Sequence, residues 1–206
     1  MSKITENKKA PPADDDVSYV AACQKGDTEA FSVLVQRHSS KMLNIAYRML
    51  GDYDEACDVT QEAFLAAFRA IERFKAEAKF STWLYRIVVN HTKNRLKQRQ
   101  SLARHESASL DDPAPECTQC AAGLAGSEGG DPGELLERRE LEAEVQKCIS
   151  ALDADYREVL VMRDIQGFAY DEIRDMLQIP DGTVKSRLSR ARLAMKDCLR
   201  KIIGEL

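Results

Sequence analysis

Throughout this chain of 206 residues the apolar side chains recur at intervals of three and four, and no alternating β-branched run lies between hairpin turn signals. That pattern selects helices and leaves no sheet to build, so the expected fold class is all-α. Val17 to Lys25 is a first short periodic stretch, closed by Gly26. Asp27 opens a longer one carrying Phe31, Leu34, Met42, Ile45 and Met49, closed by Gly51. Asp before a helix and Gly just past it are the residues that satisfy orphan backbone groups at the two ends. Further helices are expected from Asp54 to about Phe74, Ser81 to about Arg99, Glu134 to Ser150, Asp155 to about Gln166, Tyr170 to Gln178 and Thr183 to Ile203.

Residues 100–133 break the rhythm, holding five of the ten glycines and three of the six prolines with little apolar periodicity. They read as a flexible linker between two small helical domains, 17–99 and 134–206, behind a disordered tail at 1–16. The first domain is expected to be a helical bundle and the second a helix-turn-helix domain. No run approaches the ~18 apolar residues of a membrane span, and the lysines near Met1 have no apolar segment behind them to make a secretory signal. The cysteines at 23, 57, 117, 120, 148 and 198 are therefore expected as reduced thiols of a cytoplasmic protein.

The net charge of −4 conceals two basic islands, +7 over residues 78–105 and +5 over 183–206, which leave −16 on the remainder. Phosphate binding follows the local field rather than the total, so two cationic surfaces in an acidic body point to two contacts with nucleic acid. In the second island, Tyr170 to Leu177 is a short amphipathic helix, Ile179-Pro180-Asp181-Gly182 ends it, and Thr183 caps a long basic helix. Val184, Leu188, Ala191 and Met195 share one arc, whereas Thr183, Ser186, Arg187 and Arg190 share the opposite one. Arginine near the start of such a helix suits base edges in the major groove. Lys185 and Arg192 on its flank suit phosphates.

In the first island Leu84, Ile87, Val88 and His91 fall on one face, with His91 expected as a packed histidine. Arg86, Asn90, Lys93 and Lys97 face the other way. The aromatics Phe68, Phe74, Phe80, Trp83 and Tyr85 precede or open this helix, and cations interleaved with π-faces suit single-stranded nucleic acid. Phe64, Phe68 and Leu84 are expected in the core instead. One helix earlier, Asp58, Gln61, Glu62, Leu65 and Arg69 share an arc of about 100°, an acidic-polar face with an exposed leucine that suits a protein partner.

Together these segments resemble bacterial sigma factors of the extracytoplasmic-function group, the reduced members of the sigma-70 family. The likeness rests on Gly26-Asp27-Thr28-Glu29-Ala30-Phe31, Asp58-Val59-Thr60-Gln61-Glu62-Ala63-Phe64, Phe80-Ser81-Thr82-Trp83-Leu84-Tyr85-Arg86-Ile87 and Gly182-Thr183-Val184-Lys185-Ser186-Arg187-Leu188-Ser189-Arg190-Ala191-Arg192, in that order. The resemblance implies that 17–99 is region 2, whose Asp58, Gln61, Glu62, Leu65 and Arg69 dock on the clamp helices of the polymerase β′ subunit. Phe80, Trp83, Arg86, Asn90, Lys93, Asn94 and Lys97 would recognise and help melt the minus-10 element. It implies that 134–206 is region 4, whose Thr183, Lys185, Ser186, Arg187, Arg190 and Arg192 read the minus-35 element. The implied partners are core RNA polymerase, its β subunit included, promoter DNA and an anti-sigma factor. No catalytic residue, cofactor or metal is implied, since the polymerase supplies the chemistry. Arg174 departs from the pattern, standing where the family usually has Ala; it would crowd the neighbouring helix unless it snorkels outward.

A stand-alone helix-turn-helix regulator is the competing reading, which would need neither the Asp58 face nor the Trp83 to Lys97 helix. A third reading makes Cys117-Thr118-Gln119-Cys120 a metal or redox switch, although two thiolates supply half of a structural zinc's ligands.

Overall fold

The computed structural model describes residues 16–76, 78–106 and 132–204, which are helical with no strand among them. The helices are α1 (Asp16–Cys23), α2 (Thr28–Leu50), α3 (Tyr53–Ala70), α4 (Phe80–Glu106), α5 (Pro132–Ser150), α6 (Ala154–Leu160), α7 (Tyr170–Leu177) and α8 (Asp181–Ile203). A 3-10 turn, Ile71–Arg73, follows α3, and a π turn, Val161–Ile165, follows α6. The caps read from sequence hold for α2: Asp27 accepts from the Glu29 and Ala30 amides at 2.9 and 3.1 Å. At its other end Gly51 takes the left-handed conformation with φ 77°.

Two boundaries differ from the sequence reading. The basic helix α4 runs to Glu106, because Gln100-Ser101-Leu102 contains no breaker. Of the expected linker, 100–106 and 132–133 are therefore helical; the remainder, with Cys117 and Cys120, lies outside the described residues, as does the tail before Asp16. The turn of the helix-turn-helix is also made differently. Gln178, with φ 54°, ends α7, and Pro180 is the N-cap of α8, so Gly182 and Thr183 lie inside the first helical turn. The ring of Pro180 presets the cap geometry, and Asp181 complements the helix dipole while pairing with Lys185 at 3.0 Å.

The first half is a bundle of α1 to α4 around Leu34, Met42, Ile45, Val59, Leu84 and Val88, each wholly buried. Each such side chain contributes about 1.5–3 kcal/mol of burial. The second half packs α5 to α8 around Ile149, Val159, Met162, Ile173, Val184 and Leu188. The two halves also pack against each other, α2 on α5 and α6, and α4 on α7, so their cores are continuous. One guanidinium bolts this seam: Arg157 donates to the carbonyls of Met49, Ile149, Ser150 and Leu152 at 2.5–3.1 Å. Arg48 donates to Gln146 at 3.1 Å, and the rings of Tyr85 and Phe168 meet edge-on at 4.6 Å.

The thiols correct a second expectation. Cys148 and Cys198 form a disulfide between α5 and α8, whereas Cys23 and Cys57 are free. Their Cα atoms are 5.8 Å apart, within the span a disulfide bridges. Fifty residues separate them in sequence, a distance that composition alone cannot convert into contact.

Candidate nucleic-acid interface

The structure gathers the candidate residues on three helices. On α3, Asp58, Gln61, Glu62, Leu65 and Arg69 are all exposed and share one side. Leu65 is 56% exposed, a large apolar side chain that no element among the described residues covers. Phe68, expected in the core, is 41% exposed beside it and touches the core through an edge contact with Phe31 at 4.9 Å. It belongs to this face because it follows Leu65 by three residues, nearly one helical turn. The face is not uniformly free. Glu62 pairs with Arg95 at 3.3 Å and with His91 at 3.4 Å, which brings His91 to a half-exposed position rather than into the core.

At the start of α4, Phe74, Phe80 and Trp83 form an aromatic group with centroids 5.0–6.1 Å apart. Phe80 is buried and Trp83 half-buried, so Phe80 offers an edge in a wall rather than a free face. That wall belongs to a cavity of about 490 Å³, lined also by Asp16, Val20, Gln24, Phe74 and Lys79. Gln24 fixes the loop above it by donating to the carbonyls of Ile71 and Phe74 at 3.0 and 2.8 Å. Sequence reasoning missed Gln24 because it comes from α1's end, about 50 residues from the aromatics it serves. Asp16 sits at the cavity edge, paired with His38 at 2.8 Å.

Further along α4, Asn90, Asn94 and Lys97 are exposed, but Arg86 and Lys93 are half-covered by the second half of the chain. The Lys93 ammonium donates to both carboxylate oxygens of Glu158 at 2.9 and 3.1 Å, and the Glu158 side chain is 2% exposed. A lysine expected to face outward is thus engaged across the seam, because α6 presents a buried acid there. Burial holds the Glu158 carboxyl above its ordinary value, with the Lys93 bonds opposing that shift. Burial likewise pushes the Tyr85 phenol well above its ordinary value, and Glu158 nearby adds to the shift.

On α8 the six residues read from sequence lie along the first three turns. Val184, Leu188 and Ala191 are buried beneath them, as the angular pattern required, with Met195 partly buried a turn further on. Lys185, Ser186, Arg190 and Arg192 are exposed, and Thr183 and Arg187 are half-buried. Several are already partnered: Arg187 with Asp155 at 2.5 Å, Arg190 with the Tyr156 hydroxyl at 3.3 Å, and Arg192 with Asp164 at 2.6 Å. Arg174 points outward and donates to Asp175 at 2.8 Å, which removes the crowding its bulk would cause.

A surface absent from the sequence reading lies behind α8. A groove of about 590 Å³ is lined by Val145 and Ile149 of α5, Leu160, Ile165, Met195 and Leu199, with Arg192 and Lys196 at its rim. Its residues come from four elements, α5, α6, the π turn and α8, so no single periodicity displays it.

Two family models match this chain. Sigma-70 region 2 covers residues 34–102, and Sigma-70, region 4 covers residues 142–195. The RNA polymerase sigma-H factor of Pseudomonas aeruginosa is 36% identical over 192 residues, 93% of this chain and 97% of that protein. The ECF RNA polymerase sigma-E factor of Escherichia coli K12 is 37% identical over 188 residues, 91% of this chain and 96% of that protein. Among solved structures, the sigma factor RpoE in complex with the anti-sigma factor NepR from Bartonella quintana superposes with a TM-score of 0.63. It is 21% identical and covers 84% of this chain and 98% of that one, a likeness of fold. The chain belongs to the sigma-70 family of RNA polymerase sigma factors. Within that family it falls among the extracytoplasmic-function sigma factors.

Proposed function

We propose that this chain is a dissociable, cytoplasmic initiation subunit that binds core RNA polymerase and directs it to a set of promoters. The observation that carries the reading is the co-occurrence, in order, of region 2 and region 4 in a chain aligned with sigma factors over more than nine-tenths of its length. The exposed Leu65 and Phe68 within a polar and acidic rim support docking on the β′ clamp helices through α3. The apolar groove between α5 and α8, rimmed by cations, supports a contact with the β subunit. In the first half, taken as 17–99, the cavity beside Phe74 and Phe80 has room for an unstacked base of the minus-10 element. Trp83, Arg86, Asn90, Lys93, Asn94 and Lys97 would then meet the flanking strand. In the second half, taken as 134–206, Thr183, Ser186, Arg187 and Arg190 read minus-35 base edges while Lys185 and Arg192 meet phosphates. The stretch 100–133 joins the halves.

The packed arrangement is the resting form in this reading. Lys93 and Arg86 cannot meet DNA while α6 and α7 cover them, so the halves separate before promoter binding. The seam favours such opening: the Tyr85 hydroxyl and the Arg48 Nε are buried there without a hydrogen-bond partner among the described residues. An anti-sigma factor is the expected inhibitory partner, supported by the Bartonella complex of similar fold.

The test is gel filtration of the full chain with sigma-free core polymerase. Co-elution is expected. A stand-alone regulator would elute by itself while still shifting duplex DNA; the exposed α3 face favours the sigma reading over that one.

A further inference from the structure

The cysteines that meet between α5 and α8 occupy a position where a covalent bond changes something specific. The buried stripe of α8 ends at Ala191. Beyond it Leu193 is 60% and Ile202 is 39% exposed, so the last three turns rest on little apolar packing: Met195 and Leu199 lining the groove. The Cys148–Cys198 bond supplies their firm attachment to α5. It also closes a ring around α6, α7 and α8 as far as Cys198, so the helix-turn-helix up to that residue lies inside one covalent loop whose ends are 50 residues apart in sequence. The groove walls, Val145 and Ile149 on α5 and Met195 and Leu199 on α8, are the residues on either side of the bond.

We propose that Cys148 and Cys198 are a redox-active pair that takes hydrogen peroxide as its oxidant and, when closed, pins the end of α8 to α5 along the groove. Cys198 is half-buried and Cys148 is 1% exposed, so Cys198 is the sulfur a small oxidant reaches first. Its thiolate attacks a peroxide oxygen; the S–O bond forms as the O–O bond breaks, and hydroxide leaves. The Cys148 thiolate then attacks the sulfenic sulfur; the S–S bond forms as the S–O bond breaks, and a second hydroxide leaves. With the two thiol protons the products are one disulfide and two waters, and the two electrons lost by sulfur reduce the peroxide. A low-molecular-weight thiol reverses the state by two exchange steps. Of the other described thiols, Cys23 is buried, and burial with Asp27 beside it raises its thiol pKa; Cys57 is half-buried on α3, in the other half and outside the groove. The switch acts on the groove and the helix end. The DNA-reading turns from Thr183 to Ala191 keep their own buried anchors, Val184, Leu188 and Ala191, in either state.

The test uses the full chain, reduced and then exposed to hydrogen peroxide, with thiol trapping, peptide mapping and amide hydrogen exchange. A Cys148–Cys198 peptide is expected in wild type and absent from Cys198→Ser. Exchange at residues 196–203 is expected to slow at least about tenfold on oxidation, with 183–191 unchanged. The double variant Cys148→Ala/Cys198→Ala should match the reduced wild type at 196–203, with or without peroxide, and it covers the case in which Cys198→Ser folds poorly. The proposal is overturned if peroxide leaves both thiols free or drives Cys198 to sulfinic acid. It is equally overturned if the bond forms without slowing exchange at the helix end, or if the double variant is as protected there as the oxidised protein.

Discussion

Replacing Lys93 by Met puts the seam between the halves under a quantitative test. Glu158 is buried to within 2% and both its oxygens accept from the Lys93 ammonium, with Arg187 and Asp155 its other charged neighbours. Without the lysine a carboxylate remains in the seam with its main partner gone, a change that costs about 3–5 kcal/mol when charge is retained. The acid has an escape, since it can take up a proton. From an ordinary value of 4.5, protonation at pH 7.5 costs at most about 4 kcal/mol, at ~1.4 kcal/mol per pH unit. Lys93 is 41% exposed, and solvent discounts the pair, so the expected loss is about 2–3 kcal/mol at pH 7.5. The sign follows from the direction of the shift. Burial already raises the folded-state pKa of Glu158, so its favourable contribution is present in acid and is lost as pH rises through that raised value. Removing Lys93 raises the value further. Urea unfolding between pH 5 and 8.5 should therefore show a deficit for Lys93→Met that is largest at alkaline pH and shrinks towards pH 5. In Lys93→Met/Glu158→Gln the pH dependence of that deficit should disappear. A deficit independent of pH, or its persistence in the double variant, would refute the assignment of Glu158 as the buried acid paired across the seam.

Other perturbations separate folding from binding. Leu65→Glu alters an exposed side chain, so unfolding free energy should move by no more than about 0.5 kcal/mol, while affinity for core polymerase in a competition assay falls at least about tenfold. Arg187→Ala should weaken binding to a minus-35 duplex by about 1–3 kcal/mol and relax base preference, whereas Lys185→Ala should weaken binding across sequences and lower the salt slope by about one. Gly51→Ala places a Cβ 2.9 Å from the Ser150 hydroxyl at φ 77°, and calorimetry should register a loss of about 1–2 kcal/mol.

Much of the architecture was legible because helices announce themselves locally. Asp27 and Gly51 bracket α2 by hydrogen-bonding needs that any chain would have, and the stripe of Val184, Leu188 and Ala191 states which side of α8 is buried. What stayed hidden depends on tertiary contact. Lys93 belongs to a basic face by angle alone, and only the docking of α6 gives it Glu158. Phe68 has a core residue's chemistry but falls on the side of α3 that carries Leu65 rather than on the Ala67 and Ile71 side, so it stands exposed with Leu65. Cys148 and Cys198 carry no local signal of pairing in the sequence, yet the packing of α5 on α8 brings them together. The turn before α8 was misplaced because Pro180 can end one helix or cap the next, and the left-handed Gln178 decides between them.

Run-off transcription with sigma-free core polymerase on genomic fragments bears most directly on the whole account. Adding the purified chain should yield discrete transcripts whose start sites share two upstream elements, and changing Arg187 should alter promoter choice through the upstream one. Initiation no more selective than that of core polymerase alone, at low salt and without an inhibitor, would contradict it.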